Sequence, residues 1–416
     1  YGIVDGLCVS NFVGKTAFAA VNLIMPLPML LGTIGFMLGT GGSAIVGITL
    51  GEGDQKKADR YFTMFLLAAL VSVSVLAVLG IVFLRPIAAL LGAKGELLDY
   101  AVRYGRILMV SLPTFALQNM FQSFFVTAEK PHLGFWFTVG AGCTNMVLDV
   151  LMVGIWGWGV EGAAIATFIS QLVGGVLPVF YFIDRSNSSR LHLCKTSFYS
   201  KVLRDACING SSELMTNLSM SLVNILYNFQ LLRLAGENGV AAYGVIMYAA
   251  FLFVAVFVGY AVGSAPIVSF HYGARNRAEV HNLYRKSLRL IAVVAVTLTL
   301  ASMFIIPCVA RIFVGYDAEL LALTSRAFRL YALSFLIMGF NVYASSFFTA
   351  LGDGVTSALI SFLRTLVFQV IAILLLPLLL GIDGIWLAVT AAELAALAVS
   401  AAMLLTKDKV FHYRKA

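Results

Sequence analysis

The chain has 416 residues, of which 60% are apolar and 12% charged, with a mean hydropathy of +0.93. A soluble domain averages about 45–50% apolar and about 25% charged residues, so these figures exclude a disordered chain, a secreted disulfide scaffold and an ordinary soluble enzyme. At ~20 apolar residues per membrane crossing, the length has room for about twelve spans and short loops, and for no soluble catalytic domain.

The apolar runs predict helices at about 1–11, 18–49, 61–84, 103–127, 133–154, 161–183, 206–233, 241–270, 288–313, 325–350, 355–379 and 384–406. Only helices or closed barrels satisfy every backbone group in lipid, and these runs are too long for barrel strands. Prolines interrupt several of them, at Pro26, Pro28, Pro113, Pro178, Pro266 and Pro377, and each permits a bend.

The net charge of +8 is distributed unevenly. Alternate loops and the tail hold 18 Lys and Arg, concentrated at 185–204, 275–289 and 407–415, against 9 in the opposite set. The positive-inside rule then places the C-terminus and the 184–204 loop in the cytoplasm. The surplus reads as a topology signal, and no nucleic-acid partner is expected. The five cysteines form no CxxC pair, so neither a disulfide nor a zinc site is implied.

The two halves repeat. Gly159-Val160-Glu161-Gly162 matches Gly381-Ile382-Asp383-Gly384, Arg103 and Arg106 match Arg326 and Arg329, and Pro86 matches Pro307, with the offset staying between 221 and 223. A unit of six helices returns the chain to the same side, so the copies run parallel, an arrangement that transporters use with the substrate between them. The expected fold is an all-α polytopic membrane protein of twelve transmembrane helices in two parallel six-helix lobes: an N-lobe at 1–183, a cytoplasmic linker at 184–204, a C-lobe at 205–406 and a cytoplasmic tail at 407–416. Gly162, Ala166, Ser170 and Gly174, with their mates Gly384, Ala388, Ala392 and Ala396, predict small-residue packing stripes. Position 1 aligns inside the second copy's first helix, so the start of helix 1 is expected to be missing.

Ionisable groups at membrane depth are costly and usually functional. Asn145 and Asp149 share a helix face at i, i+4, and with Asp5 and Thr167 they make an oxygen-lined set suited to a proton or a hard cation such as Na⁺. From spacing alone, Asp149 fits equally a helix-end residue in interfacial water. Candidates for a substrate cavity are Asn22, Gln118, Asn119, Gln122, Glu213, Asn217, Asn224, Asn228 and Asn341, and Glu213 also reads as a solvated helix-start acid. Arg364 and Glu393 are expected to pair as a structural bridge. The five histidines fall at or beyond the cytoplasmic ends. No catalytic residue, nucleophile–base pair or phosphate loop is found, and no cofactor is expected.

Several segments resemble the multidrug and toxic compound extrusion (MATE) transporters. They are Val4-Asp5 followed by Phe12-Val13-Gly14, Gly51-Glu52-Gly53-Asp54, Asn145-Met146-Val147-Leu148-Asp149, and the run Gly159 to Thr167. The resemblance covers the whole chain and is similar to the bacterial branches. It implies efflux of organic, often cationic, compounds in exchange for H⁺ or Na⁺, by a monomer in the bacterial inner (plasma) membrane. It also implies an N-lobe ion site at Asp5, Asn145, Asp149 and Thr167. Family members that use C-lobe acids have one on the tenth helix, where this chain has none; Asp353 lies past its end. The rival readings are a lipid-linked precursor or polysaccharide flippase and, less well supported, an intramembrane enzyme.

Overall fold

The computed structural model describes Asp5, Cys8, Val9, residues 12–315 and residues 317–413. They are mostly helical, with no strand among them. Most of the first expected segment and residues 414–416 of the tail lie outside the described residues; Asp5, Cys8, Val9 and Phe12 are helical. The chain divides into two compact units, Tyr1–Gly210 and Ser211–Ala416.

In the first unit, α1 (Lys15–Ile24) and α2 (Pro26–Gly51) replace the single helix expected at 18–49. Proline has no N–H to continue the ladder, so the break falls at Met25, just before Pro26. Met25 keeps helical angles and donates to the Val21 carbonyl at 3.0 Å. Asp54 then caps α3 (Gln55–Leu90), its carboxylate accepting from the Lys57 amide. Next come α4 (Glu96–Thr127), α5 (Pro131–Asp149) running into a π turn (Val150–Ile155), α6 (Gly159–Gly175) and α7 (Leu177–Ile183). Leu177 follows Val176, where Pro178 ends the ladder of α6.

The packing follows the small residues. A Cβ on Gly35 of α2 would sit 2.3 Å from the Ala116 carbonyl oxygen of α4, and one on Gly175 of α6 would sit 2.3 Å from the Thr114 carbonyl oxygen. Both neighbours of α4 therefore approach it backbone to backbone. All four members of the expected α6 stripe are buried, as are Gly384, Ala388, Ala392 and Ala396 in the second unit.

Residues 184–199 have no helix of their own and are strapped along α3. The His192 amide donates to Asp59 Oδ1 at 3.0 Å, the Cys194 amide to Thr63 Oγ1 at 3.1 Å, and Thr196 Oγ1 to the Arg60 carbonyl at 2.8 Å. Gln55 donates to the Arg190 carbonyl. The strap leads into α8 (Ser200–Asn209), which packs on α2 and keeps the cut between units at Gly210, past the expected lobe start at 205.

The second unit opens with α9 (Ser211–Gly273), which is two helices meeting at Gly236 (φ 60°, ψ −150°). This agrees with the separate segments expected at 206–233 and 241–270. It continues with α10 (Arg277–Val314), α11 (Ala318–Ala332), α12 (Phe335–Ala350) and α13 (Gly354–Phe362). A second π turn (Leu363–Val367) precedes α14 (Phe368–Leu380), α15 (Ile382–Thr406) and a short α16 (Asp408–Phe411). The tail folds back: Tyr413 is fully buried, its hydroxyl donates to the Leu404 carbonyl at 2.7 Å, and His281 Nδ1 lies 3.0 Å from its carbonyl oxygen.

Among the described residues eight helices are long and apolar enough to cross a membrane, and the α11–α12 pair, bent by 46°, makes a ninth. The 32-residue α4 is about 48 Å long at ~1.5 Å per residue. It is long enough to cross, but Gln118, Asn119 and Gln122 interrupt its apolar run.

Candidate functional site

In the first unit three elements and the first helix bring the expected ion-site residues together. Asp5, Asn145, Asp149 and Thr167 are 2%, 0%, 0% and 5% exposed. Asn145 and Asp149 lie one turn apart at the C-terminal end of α5, where the i, i+4 spacing puts both on the face turned to α6. Asn145 Nδ2 donates to Thr167 Oγ1 at 3.3 Å across that contact. The Tyr104 hydroxyl of α4 donates to Asp5 Oδ2 at 3.3 Å. Asp5 and Asp149 lie within electrostatic range of one another.

The cluster is rich in acceptors and short of donors. Asp5 Oδ1, Asn145 Oδ1 and both oxygens of Asp149 are buried without a hydrogen-bond partner. An unpaired buried carboxylate oxygen is expensive, so this arrangement is suited to a species that brings positive charge to several oxygens at once. Tyr104 was not among the sequence candidates. Tyrosine is common in membrane helices, and only the fold brings it to Asp5.

The cavity candidates have varied surroundings. Gln118 and Asn119 are buried in the first unit, with Gln118 Oε1 and Asn119 Nδ2 lacking partners. Asn22 is exposed and donates back to the Phe18 carbonyl at 3.0 Å, and Gln122 is exposed on α4. In the second unit Asn217 donates to the Glu213 carbonyl at 2.9 Å, and Asn224 accepts from the Tyr243 hydroxyl at 2.7 Å. Asn228 is exposed. Asn341 is fully buried and committed: its amide donates to Glu393 Oε2 at 2.7 Å and to the Glu393 carbonyl at 2.9 Å, while its oxygen accepts from Ser400 at 2.9 Å.

The expected Arg364–Glu393 bridge is present, with Nε 2.8 Å from Oε1. A hydroxyl ladder that the sequence did not suggest ties α12 to α13. Ser345 lies 2.8 Å from Ser357 and 2.9 Å from Ser361, and Thr349 donates to Ser357 at 2.7 Å. No group of three or more His, Cys, Asp or Glu that could hold a metal ion occurs among the described residues.

The MatE family model matches residues 1–151 and 214–375, well over half of the chain. The chain belongs to the MatE family. It is 21% identical over 414 residues to the multidrug export protein MepA of Staphylococcus saprophyticus, covering 99% of this chain and 90% of that protein. The crystal structure of MATE in complex with MaL6 superposes with a TM-score of 0.93 at 23% identity, covering 99% of this chain and 92% of the other. The outward-facing conformation of a multidrug resistance MATE family transporter of the MOP superfamily gives the same score, identity and coverage, 0.93, 23%, 99% and 92%. The fold is therefore that of the MATE structures, twelve helices in two lobes. As a MatE protein this chain is a multi-pass membrane transporter and not an enzyme.

Proposed function

We propose that this MatE protein is an antiporter that exports small organic, chiefly cationic, compounds in exchange for H⁺ or Na⁺. The coupling ion binds at Asp5, Asn145, Asp149 and Thr167, and the cycle is alternating access between an N-lobe at 1–183 and a C-lobe at 205–406. The observation that carries this reading is the set of four buried, unpartnered oxygens on Asp5, Asn145 and Asp149. A proton or Na⁺ supplies what those oxygens lack, and Thr167 and Tyr104 hold the flanking groups in place. The export of multiple drugs named for its staphylococcal relative supports the substrate class.

An ion can drive the cycle only by binding the two access states differently. One charge moved through the membrane field contributes ~2.3 kcal/mol per 100 mV, enough for about a fifty-fold gradient. The basic surplus at 185–204, 275–289 and 407–415 supports a cytoplasmic C-terminus in a bacterial inner membrane, with a monomer as the working unit.

The test is efflux of a fluorescent organic cation from proteoliposomes under an imposed pH gradient or an imposed Na⁺ gradient. Asp149→Asn and Asp5→Asn should each abolish gradient-driven transport. Wild-type rates in both variants would overturn the N-lobe coupling site, and one gradient acting alone identifies the ion.

A further inference from the structure

The outer face of α10 carries charge that neither the proposed ion site nor the packing uses. Arg285, Lys286 and Arg289 are exposed, and none of them makes an ion pair with another described residue. Other cations are engaged: Arg190, Arg326 and Lys407 pair with Glu129, Asp383 and Asp353. Glu279 is the sole acid between positions 275 and 290. Both its oxygens accept from Asn282 Nδ2, at 3.1 and 3.2 Å, so it leaves the three cations uncompensated.

Their place on the helix matters as much as their charge. At ~100° per residue, the three cations share an arc of about 100° with Val293, Val296, Leu300 and Phe304, all of them exposed. Ser287, Ile291, Ala295 and Thr299 are buried on the opposite face. In a membrane protein such an exposed apolar stripe is where acyl chains lie. Arg289 and Arg311, both exposed, are ~33 Å apart along the helix at ~1.5 Å per residue, which brackets the ~30 Å hydrocarbon layer. Arg289 thus stands at the edge of that layer. Arg285 is one turn, ~6 Å, further out, at the depth of the lipid phosphates. The repeat shows that the fold does not require this charge. At the offset of 221–223, Arg285 to Arg289 fall on residues 62–68 of α3, which are uncharged. There the strap covers the helix: the Cys194 amide donates to Thr63 Oγ1 and the Tyr199 amide to Met64 Sδ, each at 3.1 Å. In the second copy the corresponding turn is exposed and basic.

We propose that Arg285, Lys286 and Arg289 bind the phosphate of an anionic phospholipid whose acyl chains lie along the stripe from Val293 to Phe304. Arg285 and Arg289, at i and i+4, offer two guanidinium groups to one phosphate, and Lys286 adds a third charge beside them. On the orientation proposed above, this is a lipid of the cytoplasmic leaflet. The binding itself depends neither on that orientation nor on the efflux reading.

The test is native mass spectrometry of the purified full chain in detergent, titrated with dioleoyl phosphatidylglycerol or with dioleoyl phosphatidylcholine. The second lipid has the same acyl chains and phosphate but carries a compensating choline charge. A basic residue near an anionic surface strengthens attraction about fivefold. Wild type should therefore bind its first phosphatidylglycerol at least about tenfold more tightly than its first phosphatidylcholine. Inorganic phosphate in excess should leave the phosphatidylglycerol bound.

The triple variant Arg285→Gln, Lys286→Gln, Arg289→Gln should cut that preference to less than about threefold. A second triple variant, Lys56→Gln, Lys195→Gln, Lys201→Gln, removes as much charge from other exposed positions and should keep it. Arg285→Lys with Arg289→Lys preserves the charge and should hold the preference within about threefold of wild type. Equal affinity of wild type for the two lipids, equal loss of preference in both triple variants, or displacement of the lipid by phosphate alone overturns the assignment. One arm needs no variant: a photoactivatable phosphatidylglycerol should label α10 in wild type, and labelling confined to other segments overturns it.

Discussion

Replacing Arg364 should cost far more stability than replacing its partner, because the two ends of the bridge are unequally buried. Glu393 is fully buried, whereas the Arg364 side chain is 13% exposed. Arg364→Leu leaves Glu393 Oε1 charged, dehydrated and without its donor, a situation that costs about 3–5 kcal/mol. Glu393→Leu leaves an arginine whose side chain is partly exposed rather than sealed, and the cost falls to about 1–3 kcal/mol. The double Leu variant removes the charge problem altogether and should be closer to wild type than the Arg364 single variant. Reversible unfolding in mixed micelles, followed by tryptophan fluorescence, measures all four corners of this cycle. If Arg364→Leu unfolds at the wild-type midpoint, or if the two single costs simply add in the double, the bridge is not a buried, mutually dependent pair.

Three further outcomes follow from the packing and the caps. Gly35→Ala should destabilise by about 1–3 kcal/mol, since the new methyl would stand 2.3 Å from a backbone oxygen that cannot rotate away; thermal unfolding against Gly259→Ala, which meets open space, provides the control. On α9 the same substitution should act in opposite senses: Gly236→Ala costs about 1–3 kcal/mol at φ 60°, whereas Gly259→Ala gains up to about 1 kcal/mol of helix propensity. Asp353 caps α13, and burial alone would lift its carboxyl. The Lys407 ammonium at 2.8 Å and the Thr356 hydroxyl outweigh that and hold it below its usual 3.8. Its folded value is depressed, so its contribution is present above pH ~4 and disappears as acid carries the pH down through that value. Wild type and Asp353→Asn should therefore differ by at most about 1 kcal/mol at neutral pH, given the partly exposed lysine, and converge in acid-unfolding curves once the pH falls below that depressed value.

The architecture was legible because lipid imposes a single demand on the backbone, and long apolar runs meet it in one way. Gly236 marks why two expected helices meet without a gap: a φ of 60° turns the chain in one residue. The proposed ion-site set was partly legible, since Asn145 and Asp149 announce themselves by spacing. Tyr104 did not, because its partner lies 99 residues away. Asn341 read as a cavity amide when only its own helix was in view. The fold shows both ends of that amide committed to Glu393 and Ser400, contacts 52 and 59 residues distant. The strap at 184–199 carried no periodicity at all. Its position comes from side chains on α3, chiefly Asp59 and Thr63, meeting the strap's own amides.

The two π turns have a mechanical consequence. At the repeat offset of about 222, Leu363–Val367 falls opposite residues 141–145, on the fifth helix of the first copy, the same helix that carries Val150–Ile155. Each copy thus stores a surplus residue on its fifth helix, about nine positions apart in the repeat register, close to a buried ionisable side chain. A surplus residue of this kind can be handed along a helix one position at a time, exchanging one hydrogen bond for another. Every position it passes turns by about 100° relative to the rest. Asp149 is mounted next to such a bearing, so binding at the proposed ion site can be answered by rotation of one short segment while the helices on both sides keep their packing.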